Sequence, residues 1–127
     1  MEVRMIPLNT LCAKWSMFSD DYLIADDGYI YHRMGGGIHK KLKSGYYRSA
    51  TYPYQQVRGT FGSKSVHSVH VHRAVALAFC ERPKGCTDVD HINGDKRDNR
   101  AVNLQWLTHK ENVQRIKARK EQAECTE

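Results

Sequence analysis

The chain has 127 residues, 40% of them hydrophobic, and carries 20 Lys and Arg against 14 Asp and Glu, a formal net charge of +6. That size suits one domain, or two small halves sharing a core. No segment approaches the roughly 18 apolar residues of a membrane span, and MEVRMIPLNTLCAKW has no clean apolar signal region, so the expectation is a soluble protein working in the cytoplasm, with no membrane partner.

Four cysteines, Cys12, Cys80, Cys86 and Cys125, are scattered without a CxxC pair. Without a secretory signal they are expected as reduced thiols. A zinc site on Cys80 and Cys86 with nearby histidines is the alternative, although the spacing is not that of a zinc knuckle.

Along the chain, YLIADDGYIYHR comes first as a hairpin, since Asp27-Gly28 is a pair that takes the positive φ angles of a two-residue turn between β-formers,. Gly35-Gly36-Gly37 follows as a flexible joint. KLKSGYYRSATY and KSVHSVHVH are expected as two further strands, with a loop from Pro53 to Ser63 between them.

Charge singles this region out. From Tyr29 to Cys80 there is no Asp or Glu, while Arg33, Lys40, Lys41, Lys43, Arg48, Arg58, Lys64 and Arg73 supply eight cations. Such a stretch repels itself unless a polyanion neutralises it, which is the footprint of a nucleic-acid binder; an ordinary basic surface is the bland alternative. All seven tyrosines lie in or just before the same region, and tyrosine favours a pleated, half-buried surface,. A small antiparallel sheet with basic and aromatic side chains on one face can enter a DNA groove as a β-ribbon.

VHRAVALAF then changes period: Val71, Val75, Ala78 and Phe79 recur at helical spacing, and Arg73 lies off that face, free for a phosphate or for solvent,. Pro83 and Gly85 end the helix. His67, His70 and His72 cluster just before it, with His70 and His72 on one face if the strand continues; packing or polar contact is expected of them, because nothing nearby completes a metal site,.

The last third reads VDHINGDKRDNRAVNLQWLTHKENVQRIKARK. Thr87 to Ile92 is expected as a strand running into a bend at Asn93-Gly94, with Asp98 capping a helical turn over residues 99–102. Leu104, Trp106 and Leu107 are core anchors. Thr108-His109-Lys110-Glu111 has the pattern of a capping box, so Asn112 falls in the first turn of a closing helix.

HRAVALAF followed by VDHINGDKRDNRAVNLQWLTHKENV resembles the HNH endonucleases, most closely the phage-type homing nucleases with Asn at the last motif position. DYLIADDGYIYHR resembles, more weakly, the module that precedes such nuclease cores. The resemblance implies that His91 is the general base activating water, that Asp90 and Asn112 bind one divalent cation, and that Asn103 braces the loop and orients His91. It also implies a ββα-metal core and resembles the members that nick one strand of double-stranded DNA.

The chemistry is consistent with that pattern. A phosphodiester repels hydroxide, so hydrolysis needs a base for water and a cation on the phosphate and leaving oxygen. Neutral imidazole suits the first task. Mg²⁺, with Mn²⁺ as a substitute, suits the second, since it accepts one or two protein oxygens and keeps waters as ligands. Asn in place of a third-motif His removes a nitrogen ligand and disfavours zinc. Asp90 and His91 are neighbours, so on a regular strand they point to opposite faces: either the strand bends there, or base and metal flank the phosphate from two sides. Arg97, Arg100 and Arg115 are candidate phosphate clamps.

The expectation is therefore an α+β protein: a basic, strand-rich DNA-binding module over 1–66, then a nuclease core with a basic helix over 67–127, with Arg33, Lys40, Lys41, Lys43, Arg48, Arg58 and Arg73 among the DNA contacts of the two. A monomer is expected. No carboxy-terminal recognition domain is evident, so specificity is expected from the front sheet, the last helix or a partner. A DNA-binding protein that keeps the scaffold and cuts nothing is the main rival, and a structural zinc protein is a weaker one.

Overall fold

Short runs of β-formers separated by glycine turns make the front of the protein a meander. The computed structural model describes residues 3–44, 54–59, 61–62 and 67–124. Strands β1 (Met5–Pro7), β2 (Tyr22–Ala25), β3 (Ile30–Met34) and β4 (Ile38–Lys41) form one antiparallel sheet in that order. Strand β2 buries Leu23, Ile24 and Ala25, whereas every residue of the edge strand β4 is exposed. The lysines of β4 suit such an edge, because charge discourages pairing with another chain.

The β2–β3 turn is longer than the two-residue turn expected. Ala25 and Tyr29 bracket it through the bond from Ala25 N to Tyr29 O (3.0 Å), and Gly28 alone has positive φ (94°). Gly35–Gly37, expected as a flexible joint, is a tight turn between paired strands, with Gly36 and Gly37 at φ 77° and 76°.

Strand β5 (Gln56–Gly59) lies where a loop was expected, and pairs antiparallel with β6 (His67–His70), Val57 opposite Val69. Most of KLKSGYYRSATY falls outside the described residues. Helix α1 (Val71–Phe79) starts directly after β6, so His72 is in its first turn and does not continue the strand. The apolar face is wider than the four expected positions, since Ala74 and Ala76 are buried as well. A hairpin of β7 (Asp88–His91) and β8 (Leu104–Leu107) leads into helix α2 (His109–Glu124).

One buried cluster holds these parts together. It runs from Leu8, Trp15, Ile24 and Ile30 through Val57, Phe61 and Val69 to Val71, Val75, Val89, Leu104 and Trp106. The expected division at residues 66 and 67 falls inside the β5–β6 pair. Among the described residues no helix is long and apolar enough to cross a membrane. Cys80, half-buried, donates from Sγ to the carbonyls of Ala101 and Leu104; burial raises its thiol pKa, which keeps it an unreactive packing group. Among the described residues no three His, Cys, Asp or Glu side chains gather into a metal-binding group, and Cys12, Cys80 and Cys86 are free thiols.

Candidate functional site

The β7–β8 hairpin fixes two neighbouring side chains, Asp90 opposite Gln105 and His91 opposite Leu104, in an unbroken register. Both are buried, at 3% and 4% exposure. With no bulge in the strand, they point to opposite faces and belong to two different surroundings. The bend follows His91 and does not fall between the pair: Gly94 N donates to His91 O (2.8 Å), and Gly94 takes φ 78°.

Asn103 braces this bend. Its Oδ1 accepts from the backbone N of Asn93 (3.0 Å), and its Nδ2 donates to Asn93 Oδ1 (3.0 Å) and to Asp98 O (2.9 Å). The orientation of His91 comes from another residue. Nε2 of His91 lies 2.7 Å from Oδ1 of the buried Asn99, whose Nδ2 donates to Gln55 Oε1 (3.1 Å). With the Asn99 amide so oriented, His91 carries its proton on Nε2 and keeps the lone pair on Nδ1; the network assigns this tautomer.

Rings pack beside His91. Tyr54 stacks on His72 at 4.5 Å between centroids, and His72 lies 5.5 Å from His91 and 6.2 Å from His70. Burial, then the nearby His91, His70 and Arg73, push the His72 pKa down to about 3. It is therefore a neutral imidazole, and its Nδ1 is buried without a hydrogen-bond partner.

On the other face, Asp90 meets Gln105 and α2. Gln105 Nε2 donates to Oδ2 (2.9 Å), and Arg119 Nη1 donates to Oδ1 (3.0 Å). Arg115 Nε lies 2.9 Å from Oδ2, an ion pair too bent to count as a hydrogen bond. Arg119 also donates to the carbonyls of His91 (2.9 Å) and Ile92 (3.4 Å), which ties α2 to the end of β7.

The capping box forms as expected. Thr108 N donates to Glu111 Oε1 (3.1 Å), and Glu111 N donates to Thr108 Oγ1 (3.2 Å). The backbone amide of Thr108 holds the Glu111 carboxyl below its usual pKa. Asn112 then sits in the first turn of α2, and its Nδ2 donates to Asp88 Oδ2 (3.0 Å). That bond turns the amide oxygen away from Asp88. His109 is the main cause of the lowered Asp88 pKa, with Asn112 and Thr87 adding to it against burial.

A pocket of about 320 Å³ opens beside His91, lined by Tyr54, His91, Lys96, Asn112, Arg119 and Lys120 among others. Asp90 is not among its lining residues; Arg119, which is, holds the Asp90 carboxylate. Asp90 and Asn112 would offer a cation a carboxylate and an amide oxygen, hard donors of the kind that divalent Mg²⁺ or Mn²⁺ accepts.

The other expected contacts scatter. Arg97 pairs with Asp95 (3.4 Å) and Arg100 with Asp98 (2.8 Å), so two of the three expected clamps are held by local carboxylates; the third is on Asp90. Asp98 caps no helix: it grips Arg100, which pulls the Asp98 pKa down to about 2. Arg33 pairs with Asp21 (3.2 Å) on the surface, Lys41 lies 4.0 Å over the Tyr29 ring, and Lys40, Lys43 and Arg58 are exposed. Arg73 donates to Thr87 O (3.3 Å). Arg48 lies outside the described residues.

Sequence reasoning missed Asn99, Arg119 and Gln105. Asn99 had a signal of its own, an amide within a run of charges; Gln105, opposite Asp90 in the hairpin, needed the register. Arg119 needed two turns of α2 from Asn112 to place it over β7.

Residues 69–114 match a family model described as HNH endonuclease. The DNA endonuclease I-HmuI of Bacillus phage SP01 is 32% identical over 99 residues, covering 76% of this chain and 52% of its own length. The uncharacterized HNH endonuclease L247 of Acanthamoeba polyphaga mimivirus is 56% identical over 46 residues, 35% of this chain and 12% of its own. A solved structure of DNA binding and cleavage by the HNH homing endonuclease I-HmuI is similar with a TM-score of 0.66 at 28% identity, covering 94% of this chain and 59% of that one. The chain thus spans about half of the phage relative, and far less of the viral one.

Proposed function

From the match of residues 69–114 to the HNH endonuclease family model, we propose that this chain is a metal-dependent, homing-type DNA endonuclease. It hydrolyses one phosphodiester per binding event, nicking double-stranded DNA to leave 5′-phosphate and 3′-hydroxyl ends, and acts as a monomer. Residues 1–66 contribute the basic, strand-rich grip and residues 67–127 the chemistry.

The observation that carries this reading is the His91–Asn99 hydrogen bond of 2.7 Å. It commits the ring to the tautomer whose Nδ1 can take a proton from water, with a pocket in front of it. Histidine in that state is a competent general base. Asp90 and Asn112 would hold the divalent cation, which when bound neutralises phosphate charge and stabilises the leaving oxygen. Asn103 keeps the bend, and with it the height of His91 in the pocket. Asp90 and His91 stand on opposite faces of β7, so a cation held by Asp90 would lie off the face that carries the base. Lys96 and Lys120 line the same pocket and supply charge to the flanking backbone,.

The test is supercoiled plasmid in Mg²⁺. Nicked circles that vanish with His91→Ala and with chelator support the nuclease; absence of nicking by the parent chain sinks it.

One observation favours a second reading, a DNA-binding protein that does not cut. Both oxygens of Asp90 are already engaged by Gln105, Arg115 and Arg119. That reading predicts salt-sensitive DNA affinity with no strand scission in any divalent cation.

A further inference from the structure

A second pocket has a volume of about 340 Å³ and shares no lining residue with the one described. Its wall includes Lys14, Trp15, Ser68, His70, Arg73 and Arg82, and contains no Asp or Glu. His70, in this wall, and His91, in the wall of the first pocket, both lie near the His72 ring, at 6.2 Å and 5.5 Å.

The two arginines are held in place. Arg73 donates from Nη1 to Thr87 O (3.3 Å), and Arg82 donates from Nε to Cys86 O (2.8 Å). Both guanidinium groups lie over the ring of Trp106, at 5.4 Å and 4.3 Å from its centroid, and Trp106 is itself fixed by its indole N–H on Ala76 O (3.1 Å). Among the described residues no carboxylate pairs with Arg73, Arg82 or Lys14. Each guanidinium spends one N–H on a carbonyl and keeps most of its five donors.

Two fixed guanidinium groups on one indole, with a lysine nearby and no acid, repel one another unless an anion joins them. Their planar forks match the oxygens of a phosphate, and because they are pre-positioned little side-chain freedom is lost when one binds. Arg97, Arg100 and Arg115 differ in this respect, each being engaged by a carboxylate.

We propose that this pocket is a second phosphate site, which holds a backbone phosphate of the bound DNA a few nucleotides from the one at His91. The proposal rests on the nuclease reading above. Its effect is to fix the register of the strand, so that the phosphate facing His91 is set by where a neighbour is gripped.

The test uses the full chain carrying His91→Ala, so that binding is measured without cutting. Lys14→Gln and Arg82→Gln are added together; both residues are exposed, so the fold should tolerate their loss. Binding of a duplex is followed by fluorescence anisotropy across a salt series. The slope of log affinity against log salt should become shallower by about one for each cation removed. In parallel, inorganic phosphate should move the Trp106 indole N–H resonance in the parent and leave it unmoved in the pair variant.

An unchanged salt slope overturns the proposal. So does a shallower slope with an indole signal that responds to neither phosphate nor duplex, since the cations would then act elsewhere. A phosphate response with an unchanged DNA slope assigns the pocket to a free anion and also overturns its DNA role. If wild-type chain nicks plasmid while the slope is unchanged, the nuclease reading survives and only the pocket falls. If wild-type chain neither binds nor nicks DNA, both fall.

Discussion

The imidazole of His91 and the amide of Asn99 lie 2.7 Å apart, and the Asn99 backbone is itself pressed against Gly28 in the β2–β3 turn. A side chain from the β7–β8 hairpin is therefore aligned by a residue whose own position depends on the front sheet. Replacing Asn99 with Ala removes the partner of Nε2 and frees the ring to change tautomer. The nicking rate should fall about 10- to 100-fold, as for other partners that orient a reactive histidine, with DNA affinity little changed. Imidazole ¹⁵N shifts provide the check, since a merely structural Asn99 would leave the His91 tautomer as it was.

Gly28 is the second point of that contact. At φ 94° it occupies a conformation that side chains resist, and an added Cβ would stand 2.8 Å from the carbonyl carbon of Asn99. Gly28→Ala should cost about 1–2 kcal/mol from the backbone alone, and more from the clash. Denaturant unfolding gives the stability; plasmid nicking at a temperature where the variant is folded shows whether the displaced Asn99 also slows the chemistry.

His72 makes stability depend on pH. The folded chain holds its pKa near 3, against 6.5 for the unperturbed side chain. Between those values the unfolded chain binds a proton that the folded one refuses, so stability falls as pH drops below 6.5 and keeps falling towards 3. His72→Gln should flatten that part of the profile. Urea midpoints on either side of pH 6.5 decide it: equal pH dependence in both proteins would mean that His72 is not the group responsible.

Arg119 competes with any cation at Asp90, because its guanidinium donates to the same carboxylate that Gln105 and Arg115 engage. Arg119→Gln should lower the Mg²⁺ concentration needed for half-maximal nicking. Calorimetric Mn²⁺ binding to the same variant should tighten in step. A higher Mg²⁺ requirement would show instead that Arg119 supports the cation, by holding the carbonyls of His91 and Ile92 in place.

Much of this arrangement was legible in the sequence, and the exceptions share a cause. The capping box placed Asn112, the β-former runs placed β2 and β3, and the Asn93-Gly94 turn signal placed β7, because each signal is local. The β2–β3 turn was misjudged because Asp27-Gly28 also fits a longer loop with one left-handed glycine. Strand β5 was missed because QVRG forms a strand only once β6 pairs with it. Asn103 lies ten residues from Asn93 and braces the bend; Asn99 reaches His91 from eight residues away. From spacing alone the two asparagines could exchange parts, and only three-dimensional contact distinguishes them. The arginines near the site were recognisable as cations, but their carboxylate partners depend on which way each loop turns.

The contact between the Asp26–Gly28 turn and the Asn99–Ala101 segment, with Ala101 N on Asp26 O at 3.0 Å, also bears on how the protein folds. Gln55, which holds Asn99, is 44 residues from it in sequence. Closures of that span are slow to find, because loop entropy is lost before any contact is gained. The β7–β8 hairpin and α2, built from local bonds, can form early. The bond that sets the proton on His91 waits for the sheet at the other end of the chain to arrive, so a partly folded molecule can present the histidine, the carboxylate and the helix and still lack the aligned imidazole that the proposed chemistry needs.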